Sequence, residues 1–433
     1  MIAFFLVLWA FSGPAQEPSR HPGFYMDSDE DLKTAPLSFY LWFGYKYFHP
    51  VKTAAVTMEN FFKSQDLNFG QSFAQTQVQS RAKIVAVGDM MVKTRMTRQN
   101  SAHLFNDISR EIGSADIAFG NLEGPSVPNQ RVSAFPKYNY RPELVKFFKE
   151  QGFDVFSTAN NHSLDQGPEG LKATLDYLDQ LGVRHHGTAR TPEERDQGIP
   201  ILEAGGIKVA FLSYTYGTNG RSVPKGKEWL VNVVDFNAMG NDPDLSLVQK
   251  DIQAARKMGA EVVVVVPHWG LEYEYFPPER IVSRAHQIIE MGADIILGYH
   301  PHCLQPMERY LPKNPDRIGL PEAFIIYSLG NFIPDHFQVD FRTSVVLGIE
   351  LASGNYQGKK QIWIDKIELT PIYFYSGKEF RLVRIDQALE KQSDPGYSFL
   401  KSRDYKNLEQ AQKIIQELFL PQNSSLEKFL PRP

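Results

Sequence analysis

Short apolar runs that stop at polar turns recur along this chain, and segments with apolar residues three and four apart separate them. Lys83-Ile84-Val85-Ala86-Val87 reads as a strand ending at Gly88-Asp89. Asp116–Phe119 ends at Gly120-Asn121-Leu122-Glu123, and Phe153–Thr158 ends at Ala159-Asn160-Asn161-His162. Glu261–Val266 is a nearly continuous β-branched run, the texture of a strand buried on both faces, and it stops at Pro267-His268-Trp269-Gly270. Ile207–Tyr214, Asp294–Leu297 and Ala323–Tyr327 are further strands, the last two ending at Gly298-Tyr299-His300-Pro301-His302 and Ser328-Leu329-Gly330-Asn331-Phe332. Pro142–Gly152, Pro168–Leu181, Leu245–Met258 and Glu279–Met291 read as helices, with Leu171, Leu175, Leu178 and Leu181 at helical spacing in the second. Alternation of this kind predicts an α/β fold. From Thr343 the texture changes. Ser344–Leu351 and Lys360–Tyr375 alternate like antiparallel strands, Arg381–Ile385 adds a short one, and Glu409–Leu420 is helical before a polar tail. There are no internal repeats.

The ends of the chain differ from this core. Ile2–Phe11 is apolar and stops at Ser12-Gly13-Pro14-Ala15. The run has the length of a signal-peptide h-region and falls short of the ~20 residues that span a bilayer. Residues 1–15 are therefore expected to be a signal peptide or an N-terminal anchor, without the usual positive n-region. That predicts an exported protein: periplasmic, extracellular or membrane-associated in the cell envelope. Residues 16–80 read as a polar linker followed by an aromatic-rich extension, expected to pack as helix on the main domain, with a lipid-facing role as the alternative. The main domain is expected over 81–386 and a helical tail over 387–433.

Composition narrows the function classes. The 433 residues are 42% hydrophobic, enough for a large core. The net charge is -4 and no basic run stands out, which argues against a nucleic-acid surface. The single cysteine, Cys303, excludes an intramolecular disulfide and is expected to be a small side chain beside a strand end.

The polar groups at the strand ends form a set: Asp89, Asn121 with Glu123, Asn161 with His162, His268, and His300 with His302. Carboxyl ends of strands are where open α/β sheets bind ligands. Each residue alone has a plain structural explanation, such as a helix cap or a packed core histidine. Their joint recurrence favours a metal site. Carboxylate, amide and imidazole donors without clustered thiolates suit divalent ions such as Mn, Fe or Zn. The donors exceed what one tetrahedral ion takes, and two ions would use them all. Paired ions favour hydrolysis by clamping attacking and leaving oxygens. Alternation in an extended His300-Pro301-His302 segment would put both imidazoles on one side.

Gly88-Asp89, Gly120-Asn121-Leu122-Glu123, Asn160-Asn161-His162 with Asp165 and Gly167, His268-Trp269-Gly270 with Glu272-Tyr273, Gly298-Tyr299-His300-Pro301-His302 and Tyr327-Ser328-Leu329-Gly330-Asn331-Phe332 together resemble the CapA/PgsA-type poly-γ-glutamate capsule proteins. These are a branch of the calcineurin-like metallophosphatase superfamily. The resemblance runs from about Lys83 to Phe332, and on to about Asp386. It implies a four-layer α/β/β/α sandwich, with N-terminal and C-terminal extensions here, and a dinuclear site at the strand ends. Asp89 matches the first-motif aspartate, and Met91 stands where ordinary metallophosphatases have a histidine. Glu123 is the preferred bridging carboxylate. Asn161, His268, His300 and His302 match further ligands, and His162 matches the imidazole that stabilises or protonates the leaving group. Asp165 is expected to orient His162 or to cap the following helix, with the cap favoured. The branch usually has histidine where this chain has Tyr299.

On the substrate side, Asn121, Arg95, Tyr299 and Asn331 are the expected contacts, while Lys93, Arg98, Lys137 and Arg141 read mostly as solvated surface charge. Two functions follow. One is a metal-dependent hydrolase of phosphoester or amide bonds in envelope polymer metabolism, acting on an anionic polymer such as poly-γ-glutamate or on a phosphoester. The other is a non-catalytic accessory that binds polymer or a membrane-bound polymer synthase.

Overall fold

The structure, a computed structural model, describes residues 37–238 and 243–419. The expected signal peptide or anchor, the linker at 16–34 and the polar tail lie outside the described residues. The strands are β1 (Val78–Met90), β2 (Ile117–Leu122), β3 (Val155–Ser157), β4 (Arg184–His186), β5 (Ile201–Ala204), β6 (Ile207–Thr215), β7 (Val262–His268), β8 (Ile295–Leu297), β9 (Met307–Tyr310), β10 (Ala323–Ile326), β11 (Asn331–Ile333), β12 (Thr343–Tyr356), β13 (Lys359–Ser376) and β14 (Phe380–Arg384). They form two sheets. One has the order β14-β13-β12-β1-β2-β3-β4 with β11 also paired to β1, and the other has the order β5-β6-β7-β8-β10-β9. β1 to β4 run parallel, as do β6, β7, β8 and β10. β12, β13 and β14 extend the first sheet as the antiparallel meander that the alternating C-terminal texture predicts.

Side-chain parity builds the layers. Ile84 and Ala86 of β1 join Val262, Val264 and Val266 of β7 in a core between the sheets, where the Phe119 and Phe211 rings stack 5.1 Å apart. Val85 and Val87 face the other way, under helices Pro142–Glu150 and Gly167–Gln180. Val263 and Val265 face helices Ser246–Lys257 and Glu279–Glu290. The result is the α/β/β/α sandwich. The β-branched run 262–266 is apolar throughout because both its faces are covered.

The N-terminal extension packs on this sandwich. In helix Leu37–Phe48, Phe43 and Tyr47 lie against the inter-sheet core, and Lys46 pairs with Glu274 at 2.8 Å. The C-terminal helix begins at Ser402, earlier than its apolar spacing suggested, and buries Leu408, Ala411, Ile415 and Phe419 in the same inter-sheet core. Among the described residues no helix is long and apolar enough to cross a membrane.

β1 changes partner near its end. β12 pairs it as far as Ala86, and β11 pairs it at Asp89 and Met90. Gly88 sits at the junction. A Cβ there would lie 2.2 Å from the Gly330 carbonyl oxygen, a backbone atom that cannot swing aside. Gly88→Ala is expected to cost about 3 kcal/mol through forced backbone shifts, read as a lowered thermal midpoint. A parent-like midpoint would contradict this close approach.

Candidate metal centre

Asp89 and Asn121 lie opposite each other in the β1–β2 register, both with no exposed surface. Asn121 Nδ2 donates to Asp89 Oδ1 at 2.7 Å and stands 3.4 Å from His268 Nδ1. β2 ends one residue before Glu123, so the chain turns and buries that carboxylate completely. The second sheet supplies the imidazoles. His268 closes β7, its Nε2 lying 3.1 Å from Asn161 Oδ1 and 3.5 Å from Glu123 Oε1. His300 and His302 follow β8. The His300 N–H donates to Asp89 Oδ2 at 3.2 Å, and His302 Nδ1 lies 3.7 Å from the same oxygen. Among the described residues two donor groups result, Asp89–Glu123–His302 and Glu272–His300–His302, each with ligand atoms within 4.8 Å of one another.

The extended segment expected for His300-Pro301-His302 is not what brings the two rings together. Both residues have positive φ, +100° and +61°. A non-glycine residue in that region costs about 1–3 kcal/mol and persists only where its surroundings enforce it. Here the turn aims two imidazoles at one spot, with ring centroids 6.0 Å apart.

The electrostatics describe a site short of positive charge. Burial pushes Asp89 up to about 7, against the lowering effect of its Asn121 and His300 donors. Burial, then the nearby Asp89 and Glu272 carboxylates, push Glu123 well above the usual carboxylate range. Burial lowers His268 and His300 well below the ordinary imidazole value, and His302 to about 3. The imidazoles are therefore neutral, the form that ligates. Both Glu123 oxygens, Asn121 Oδ1 and His300 Nδ1 are buried without a hydrogen-bond partner. Buried polar atoms are ordinarily paired, and a buried carboxylate needs a cation. The unpaired oxygen and nitrogen atoms converge here, and the set fits divalent metal ions.

Beside this cluster lies a second arrangement. His162 Nδ1 is 2.8 Å from Asp165 Oδ2, and Asp165 also accepts the Tyr138 N–H at 2.7 Å and an Arg221 hydrogen bond. Asp165 thus orients His162. The helix-cap reading fails, because Gln166 is the residue at the cap position of Gly167–Gln180 and no side chain bonds there. His162 Nε2, at the other end of the ring, stands 3.4 Å from Asn219 Nδ2.

Three expected substrate contacts fall elsewhere. Tyr299 is fully buried in the inter-sheet core and donates to the Val87 carbonyl at 2.9 Å. Asn331 is spent on its own turn, with Oδ1 2.9 Å from His302 Nδ1 and Nδ2 donating to the His302 and Phe341 carbonyls, so it positions His302. Arg95 donates to the Ser376 and Gly377 carbonyls and covers the Phe380 ring, which ties it to the β13–β14 turn. Asn121, also expected on the substrate side, lies between Asp89 and His268 within the donor cluster. Cys303 is buried, donates to the Glu274 carbonyl at 3.0 Å and belongs to neither donor group. Sequence reasoning did not assign roles to Glu272, Tyr138, Asn219 or Arg221. The His-Trp-Gly-x-Glu spacing was the available signal for Glu272, whereas the other three lie in loops without periodicity.

The family described as "Bacterial capsule synthesis protein PGA_cap" matches residues 83–336. The "Capsule biosynthesis protein CapA" of Bacillus anthracis is 29% identical over 259 residues, 58% of this chain and 59% of that protein, so the match spans less than two thirds of that relative. The "PGA biosynthesis protein CapA" of Bacillus subtilis is 29% identical over 293 residues, 66% of this chain and 72% of that protein. A "Probable polyglutamine synthesis accessory protein" of Mycobacterium tuberculosis is 24% identical over 237 residues, 50% of this chain and 57% of that protein.

Proposed function

The chain belongs to the bacterial capsule synthesis protein family, and from that premise we propose that its strand-end cluster is a two-cation centre hydrolysing phosphoester or amide bonds in envelope polymer metabolism. The observation that carries this reading is the pair of unpartnered, fully buried Glu123 oxygens facing neutral imidazoles. Asp89, Glu123, Glu272, Asn161, His268, His300 and His302 would hold the ions, Mn, Fe or Zn by donor type. Bound ions of this kind supply Lewis-acid polarisation and lower the pKa of water towards neutrality. The chain itself supplies the rest. Asp165 fixes His162 at Nδ1, so the ring presents Nε2 for proton donation to a leaving group. Asn331 holds the His302 ring, as outer-shell partners of metal-ligating histidines do.

The substrate proposed is an anionic envelope polymer of the poly-γ-glutamate kind or a phosphoester, met after export. The names of the relatives, a PGA biosynthesis protein and a polyglutamine synthesis accessory protein, support the polymer class. One of those names, an accessory protein, supports a second reading in which the centre binds polymer or a synthase without turnover.

Metal analysis of the purified full chain, alongside hydrolysis of phosphomonoesters, phosphodiesters and γ-glutamyl polymer, tests the proposal. About two equivalents of metal and turnover on at least one substrate are expected, with both reduced in His268→Ala. Metal without turnover would support the accessory reading, and a parent without metal would defeat both.

A further inference from the structure

Tyr138 is a buried hydroxyl beside this cluster whose bonding is unlike that of its neighbours. Tyr140, Tyr214, Tyr299 and Tyr327 are comparably buried, and each gives its hydroxyl to an oxygen: the Glu123 carbonyl, Asp251, the Val87 carbonyl and Glu308 respectively. Buried phenols ordinarily find such partners. Tyr138 is 3% exposed, and among the described residues its hydroxyl reaches only the Met91 thioether, 4.0 Å away. A thioether is a weak acceptor, and that distance is at the outer limit of an interaction.

The residue is held firmly at this position. Its N–H donates to Asp165 at 2.7 Å, and its carbonyl accepts from Gln166 Nε2 at 2.7 Å. Its ring meets His162 edge-on, with centroids 4.6 Å apart. Met91 lies two residues beyond Asp89, just past the end of β1. The phenol therefore packs between the His162 ring and Met91, which directly follows the strand that carries Asp89. Burial, then the Asp335, Glu123, Asp165 and Glu272 carboxylates, push its pKa far up, so it keeps its proton.

We infer that the Tyr138 hydroxyl is a neutral hydrogen-bond donor to a tetrahedral oxyanion, the phosphoryl group of the substrate, bound at the strand-end cluster; this rests on the reading of that cluster as a metal centre. A phosphoryl group has more oxygens than the cations engage, and an outward oxygen near four carboxylates needs a donor that adds no competing titration. The weak bond to Met91 costs little to exchange for one to a charged oxygen, which is about twice as strong as a neutral bond.

The probe is inorganic phosphate added to the Mn-loaded full chain and followed by calorimetry. Tyr138→Phe is expected to keep parent metal content and thermal midpoint while weakening phosphate binding by about tenfold or more. Met91→Leu, which removes only the thioether, is expected to keep parent affinity. Equal phosphate affinity in Tyr138→Phe and parent overturns the inference. So does a metal-loaded parent that takes up no phosphate, the pattern expected of a planar amide substrate. A Tyr138→Phe chain that loses metal together with phosphate makes Tyr138 structural and overturns it as well. A parent that takes up no metal overturns the reading beneath the inference.

Discussion

Glu123→Gln is expected to abolish tight metal binding and, at the same time, to stabilise the metal-free protein. The two effects have one cause. The Glu123 carboxyl is fully buried, and the one group that can share a proton with it is the Asp89 carboxyl, so without a cation it must either carry an uncompensated charge or hold a proton that the unfolded chain would release. Its folded pKa is raised. From the ordinary carboxylate value up to that raised value, the unfolded chain binds fewer protons than the folded one, and the Glu123 contribution to stability falls as pH rises. The advantage of the glutamine variant over the parent should therefore be small near pH 4.5 and grow upward, by up to about 1.4 kcal/mol per pH unit. The variant–parent difference isolates this trend from the neighbouring imidazoles, whose lowered values act in the opposite sense and lose stability as pH drops below about 6.5. Thermal melts of both proteins with chelator, and again with added Mn, would measure it. The parent midpoint should rise with metal and the variant midpoint should not. A glutamine chain less stable than the metal-free parent across this range would show that Glu123 is paired by something else.

His162→Ala is expected to lower turnover by about 10²- to 10⁴-fold, the usual worth of a positioned acid or base, with metal content kept. Metal should remain because His162 belongs to neither donor group. Its Nδ1 is committed to Asp165, which leaves Nε2, held only by the long 3.4 Å contact to Asn219 Nδ2, to serve a leaving group. Asp165→Asn should follow in the same direction by a smaller factor, because the carboxamide can still orient the ring but does not stabilise its charged form. Loss of metal in His162→Ala would move this residue into the coordination shell, and unchanged turnover would remove it from the chemistry.

The sandwich was legible where strand and helix periods were long. The runs at 83–87, 207–214 and 261–266 are strands because their residues pack on both sides of a sheet, and the strand-end residues Asp89, Glu123, His268, His300 and His302 converge because parallel strands bring their carboxyl ends to one edge. β4, β5, β9 and β11 are three or four residues long and each carries a polar or charged residue, whereas the equally short β8 and β10 are apolar throughout and were legible. The place of Glu272 in the site is not legible in its motif, because it depends on a turn in which Tyr273 has φ +67°. Tyr299 and Asn331 illustrate a different limit. A polar residue after a strand faces either the solvent mouth or the core, and sequence alone does not say which. Tyr299 turned inward because the Val87 carbonyl was there to receive its hydroxyl, and Asn331 was taken up by the backbone of the His302 turn. The aromatic segment at 37–48 was legible as a packed helix, although its ion pair from Lys46 to Glu274 was not.

X-ray absorption at the metal edge of the reconstituted full chain would observe the donor set itself. Two ions per chain, in a first shell of nitrogen and oxygen at about 2.0–2.2 Å with imidazole back-scattering that weakens in His268→Ala and His302→Ala, is the expected spectrum. A shell of water oxygens alone, or a spectrum that neither substitution alters, would mean that these strand ends do not share a metal centre.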